Sequence, residues 1–124
     1  MQLVHESAGD AASGEGTDRE TLATTVDLAD SILSRTRGLM FRRSVPDDYA
    51  LAFPFDSATT RDLHMLFVFI PIDAVWVVDD VVQRVETLRP WRSLARAEAD
   101  LIVELPAGTA VDVDPGDRLV LETG

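Results

Sequence analysis

Apolar and polar positions alternate over several stretches of the chain. From Glu20 onward, Leu22, Thr24, Val26 and Leu28 fall on one side and Thr21, Ala23, Thr25 and Asp27 on the other, the period of two that a half-buried strand requires. Gln2 to His5 is short and apolar enough for a strand ahead of it. The polar run Ser7 to Asp18, with three glycines and two serines, reads as the loop of a hairpin between them. Asp30 can cap a short helix through Ile32 and Leu33. Arg35 and Arg37 suit its last turn, and Gly38 its left-handed stop. Ser44 to Asp48 reads as a turn, Ala50 to Phe53 as a strand ended by Pro54, and Asp56 to Thr60 as a loop. Leu63 to Ile70 and Ala74 to Val78 are β-branched and aromatic runs separated by Pro71 and Asp73. Asp79-Asp80 then turns the chain into Val81 to Leu88 as a hairpin. Trp91 and the Arg92 to Glu98 region form a polar connection with room for a helical turn. Leu101 to Leu105 and Arg118 to Leu121 close the set, with a turn at Pro106 to Ala110. Roughly eight strands, one short helix and no internal repeat predict a mainly β fold, a compact β-sandwich or small barrel. Residues 1–19 are expected to supply a strand and a polar loop, and residues 20–124 a single β domain.

Composition narrows the environment. A chain of 124 residues that is 46% hydrophobic and 27% charged has room for one folded domain. It has no cysteine, which excludes a disulfide framework, thiolate metal sites and cysteine nucleophiles. The net charge is −11, and all 11 basic residues are arginine, against 22 acidic ones that are mostly aspartate. A lysine-free, aspartate-rich surface suits molar salt, where the Debye length falls to about 3 Å and repulsion between carboxylates is screened. The chain therefore reads as a halophile's protein. Nucleic acid is a poor partner, because neutralising phosphates needs a basic stripe. MQLVHESAGD carries no cationic start or apolar run of a secretory leader. The longest apolar run, Met65 to Ile72, is far short of the ~20 residues of a spanning helix. A soluble, cytoplasmic protein is expected, with no membrane partner.

Several segments fall in the order of a known family: RGLMFRR at Arg37 to Arg43, AFPF at Ala52 to Phe55, LHM at Leu63 to Met65, PID at Pro71 to Asp73, ELPAG at Glu104 to Gly108 and PGDR at Pro115 to Arg118. Together they resemble domain-of-unknown-function family 192, also called uncharacterised protein family 0127, over about Leu22 to Glu122. The resemblance implies a mostly β domain of jelly-roll-like or barrel-like shape and no established activity. Many members carry a tryptophan just before the matched methionine and a Lys-Asn-Thr run after it. This chain has His64 there, then Leu66, Phe67 and Val68.

The candidate chemistry is sparse. Arg42 and Arg43 could fork onto an anion, or pair with Asp47 or Asp48. His64 has Asp62 two residues earlier, on the same side of a strand, where a carboxylate could set the imidazole for acid–base work or hold it for a ligand. The alternative is a histidine satisfied at the edge of the core. Asp73 sits in a short connection, about 25 Å of straight strand from His64, so Asp62 is the better partner and Asp73 belongs to the turn. Trp76 could line a pocket or fill the core. Asp112, Asp114 and Asp117 in DVDPGDR fail the calcium-loop pattern, since Gly116 takes the third ligand position. No phosphate loop, dinucleotide fingerprint or G-x-S-x-G is present, so no cofactor and no metal are expected. Three readings follow: a module binding a small ligand or a protein through Arg42, Asp62, His64, Asp73 and Trp76; a hydrolytic or acid–base enzyme using His64; or a module assembling through sheet edges.

Overall fold

A computed structural model describes residues 1–7, 19–29, 46–64, 70–89 and 94–123, with the side chains of 62–64 and 94 outside that description. Eight strands form one sheet: β1 (Gln2–Glu6), β2 (Arg19–Ala23), β3 (Thr25–Leu28), β4 (Tyr49–His64), β5 (Ile72–Val78), β6 (Val81–Leu88), β7 (Leu94–Pro106) and β8 (Arg118–Glu122). Their order is β2-β1-β8-β6-β5-β7-β4-β3. The β3–β4 pair is parallel, and the other pairs are antiparallel. The mainly β expectation holds. The expected helix at Asp30 to Gly38 lies outside the described residues.

The sheet buries both faces. On one, Leu3 of β1 packs in a single cluster with Ala50 and Ala52 of β4, Val75 and Val77 of β5, Val103 and Leu105 of β7, and Leu119 of β8. Strands from near opposite ends of the order share one core, so the sheet curls around this face. The other face gathers Tyr49, Leu51, Phe53, Ile72, Ala74, Trp76, Leu88 and Ile102. Alternation along β4 and β5 assigns successive residues to the two clusters, as the pleat dictates. The ladder is open between β2 and β3, yet only Thr24 separates these two edge strands along the chain. The run expected as one strand from Glu20 is thus two strands at opposite edges, and Gln2–Glu6 does pair with Arg19–Ala23 as expected.

Two boundaries differ from the sequence reading. Pro54 does not end a strand, and Asp56 to Thr60 is not a loop: β4 runs on to His64. Pro54 lies beyond the last β3 partner, Ala52, and beside a bulge where the register passes from Pro54↔Leu101 to Thr59↔Ala99. A missing N–H costs little there. The partner strand β7 likewise begins at Leu94, within the region read as a polar connection. Its exposed Arg96 and Glu98 alternate with Ala95, Ala97 and Ala99 on the core side, a pattern too poor in large apolar residues to signal a strand.

Candidate functional site

The residues PID, ELPAG and PGDR converge on one structure, the turn region 107–117 between β7 and β8. Asp73 is buried on β5, and its carboxylate is fully used. Oδ1 accepts from the Thr87 hydroxyl at 2.7 Å, and Oδ2 accepts from the amides of Gly108 at 2.9 Å and Ala110 at 2.8 Å. This anchors a segment whose Gly108 has φ +96°, a left-handed conformation that disfavours a Cβ. At the far end Asp117 Oδ2 accepts from the Asp114 amide at 3.0 Å and lies 2.8 Å from His5 Nε2. Both side chains of that pair are buried. Ala110 and Val113 reach from this region into the curled core beside Leu3 and Leu119. These carboxylates do structural work: Asp73 satisfies the buried Ala110 amide and the Gly108 amide, and Asp117 the Asp114 amide, which ties down the turn region.

On the other face the central feature is Trp76, whose exposure is 0%. Its indole N–H donates to the Arg61 carbonyl at 3.2 Å, although β7 lies between β5 and β4 in the sheet. The bulge explains this approach, since it bends the far ends of β4 and β7 into a two-stranded ribbon that folds over β5 and β6. Arg84 of β6 lies with its guanidinium carbon 5.7 Å from the Trp76 ring centre. It donates to the Arg96 carbonyl of the ribbon at 2.8 Å and pairs with Glu86 at 2.9 Å. Arg61 spans the bend: it donates to the Ser57 carbonyl at 2.9 Å and stacks on Phe55 at 3.9 Å.

Carboxylates cross the same face on one register line. Glu86 pairs with Ala74, Ala74 with Glu104, Glu104 with Leu51, and Leu51 with Asp27. Glu104 is buried to 5% exposure, and Asp27 accepts from the Tyr49 hydroxyl at 3.0 Å. Among the described residues no three His, Asp or Glu side chains are grouped to hold a metal ion.

The residues expected from sequence are only partly brought together. Trp76 meets the strand carrying Asp62 and His64, because it bonds to the carbonyl of the residue before Asp62. Asp62 stands opposite Arg96, and His64 opposite Leu94. Asp73 is separate: it shares β5 with Trp76 but projects to the other face, and its oxygens hold the turn. Arg42 lies outside the described residues. Trp76 is a buried floor under the ribbon and presents no face to solvent. Sequence reasoning missed Glu104, although a glutamate in phase with Ile102 along LIVEL was a readable signal of an inward carboxylate. It also missed the His5–Asp117 pair. Nothing local links residues 112 positions apart until β1 is known to lie beside β8.

Comparison with known proteins places these features in a family. Residues 15–121 match the model of DUF192, an uncharacterised ACR family. A UPF0127 protein of Thermococcus gammatolerans is 34% identical over 100 residues, covering 76% of this chain and 64% of that protein. The matched part thus spans less than two thirds of that relative's length. A UPF0127 protein of Thermococcus kodakarensis is 30% identical over 123 residues, 94% of this chain and 71% of its own length. Among solved structures, a Sinorhizobium meliloti protein described as a "putative transcription regulator" superposes with TM-score 0.75 at 25% identity, over 96% of this chain and 92% of that one. A protein of unknown function from Novosphingobium aromaticivorans gives TM-score 0.75 at 21% identity, over 96% and 84%. The similar curated proteins come from Thermococcales, not from halophiles. No helix among the described residues is long and apolar enough to cross a membrane.

Proposed function

This chain belongs to the DUF192 family, and we propose that it is a non-enzymatic binding module that receives a small ligand or a short protein segment at the ribbon carrying Asp62 and His64. The observation that supports this reading is the Trp76 indole bond to the Arg61 carbonyl, which seats that ribbon on an aromatic floor and fixes the strand on which both polar residues stand. Asp73 has no place in the site, since its oxygens are already engaged with Thr87, Gly108 and Ala110. A role on nucleic acid is not favoured. The net charge is −11, and Arg19, Arg84 and Arg118 each face carboxylates, leaving them poorly placed to neutralise phosphates. The lysine-free, aspartate-rich composition supports work in a cytoplasm of high salt.

Native mass spectrometry of the purified chain tests the binding reading. A co-purifying mass is expected on the wild type, reduced together in His64→Ala and Asp62→Asn and retained in Asp73→Asn. A ligand held equally by all the variants, or none on the wild type, refutes it. Turnover lost in both variants would instead establish the acid–base alternative.

A further inference from the structure

We propose that the Asp114–Pro115 peptide bond is a self-scission site, at which the chain cuts itself in mild acid while β8 stays in the sheet. It is the one Asp-Pro bond of the sequence. Pro115 and Gly116 form the centre of a type II turn: Gly116 has φ +95°, and the Asp117 amide donates to the Asp114 carbonyl at 3.0 Å. That amide points at the oxygen on which negative charge develops when the Asp114 carbonyl carbon is attacked, the place of an oxyanion donor. Asp117 also holds Asp114 from the other side. Its Oδ2 accepts from the Asp114 amide at 3.0 Å and is fixed in turn by the buried His5, whose Nε2 lies 2.8 Å away. Asp114 and Pro115 are exposed, so water and protons reach the bond.

The nucleophile is the Asp114 carboxyl, one methylene from the residue's own backbone, so the attack is intramolecular. A carboxyl oxygen bonds to the main-chain carbonyl carbon of Asp114, and the bond from that carbon to the Pro115 nitrogen breaks. The carboxyl proton passes to that nitrogen. The X-Pro bond is a tertiary amide, so a secondary amine leaves, and acid keeps it protonated. The cyclic anhydride left on Asp114 then takes up one water and opens to two carboxyls. The net change is hydrolysis of one peptide bond. β8 does not depend on that bond: it pairs along its whole length with β1. The Gly116 amide also donates to the Val82 carbonyl and the Val82 amide to the Asp117 carbonyl, each at 2.8 Å. The His5–Asp117 contact lies on the β8 side of the break as well. The product is a two-chain domain whose last strand is held without a covalent link, and no ligand takes part in making it.

The purified chain is kept at about pH 5, the acid edge of the range in which domains are most stable, beside a synthetic peptide of residues 109–120. Mass spectrometry follows both. Fragments ending at Asp114 and beginning at Pro115 should accumulate from the chain at least about tenfold faster than from the peptide, the low end of what one oxyanion donor contributes. A native spectrum should find the two fragments together. Pro115→Ala, with a poorer leaving amine, and Asp114→Glu, which must close a larger ring, should each slow the cut at least about tenfold. Asp112→Asn should leave it unchanged. A chain that stays intact, or is cut no faster than the peptide, overturns the proposal. So does equal cutting of Pro115→Ala, the mark of a contaminating protease, and so do fragments that separate in the native spectrum.

Discussion

Asp48 holds Thr24 at the one point where the two edges of the sheet are a single stretch of chain. The Thr24 amide donates to Asp48 Oδ1 at 2.8 Å, the Thr24 hydroxyl donates to Oδ2, and the next amide, Thr25, donates to the Asp48 carbonyl at 3.1 Å. β2 belongs to one edge and β3 to the other, so this contact fixes where the chain leaves β1 and joins β4. The covalent step at Thr24 does what a ladder does in a closed barrel, and Asp48 sets its angle.

The Thr24 hydroxyl, and after it the Thr24 amide, lowers the Asp48 pKa from its ordinary value. A lowered folded-state pKa means that this stabilisation is present above the unfolded pKa, near 4, and is lost as pH falls through the folded value. Thr24→Val should therefore be less stable than wild type at neutral pH, with the gap closing below about pH 4. Urea unfolding at a series of pH values measures it. A gap that does not change with pH would show that the hydroxyl's bond to the carboxylate contributes nothing.

Asp73 should be the costliest polar side chain to truncate. Asp73→Ala strands the buried Ala110 amide and removes a second charge-assisted bond, to the amide of exposed Gly108, which costs about 2–4 kcal/mol. Thr87→Val removes only the bond to Oδ1 and should cost about 1 kcal/mol. Denaturant midpoints separate the two, and equal costs would mean that the turn does not depend on Asp73.

The hairpin at Asp79 and Asp80 carries φ of 49° and 66°, both left-handed, with Val78 and Val81 paired across it. Such a turn favours Asn-Gly. Asp80→Gly removes the backbone strain and gives up only an exposed 3.6 Å ion pair with Arg118, worth little at a surface. The double variant Asp79→Asn, Asp80→Gly should gain up to about 1 kcal/mol. A lower melting temperature would show that the aspartates hold more than the turn.

The runs Ala74 to Val78 and Val81 to Leu88 were legible because they are rich in β-branched and aromatic residues, even though β5 is buried on both faces and shows no alternation. The hairpin was legible from the two aspartates between those runs. Thr24 was not, since one unbroken alternation from Leu22 to Leu28 hides the change of edge, which depends on pairing with β1 and β4. The ribbon was hidden by its alanines, and Pro54 argued against a strand that tolerates it only at a bulge. For the site, Asp73 reads from sequence as part of the connection before Ala74, but it lies inside β5 and holds a distant turn through Gly108 and Ala110, a contact that only the β5–β7 pairing creates. The meeting of Trp76 with Arg61 could not be read either, because a bend set by the register of β4 and β7 brings them together.

Salt dependence tests the halophile proposal. Arg19 faces Glu6 and Glu122, and Arg118 faces Glu6 and Asp80, so a chain of ion pairs crosses β2, β1 and β8. Molar salt weakens these exposed attractions. It also screens the repulsion among an excess of 11 negative charges, which acts over the whole surface and outweighs a few marginal pairs. The thermal midpoint followed by circular dichroism should therefore rise as potassium chloride increases from dilute buffer to molar levels. Arg118→Gln should lower the midpoint in dilute buffer, where it removes an attraction and deepens the negative charge, and should differ little from wild type in molar salt. A midpoint that is unchanged or falls with salt would mean that local pairs dominate, and the composition would then carry no adaptation to salt.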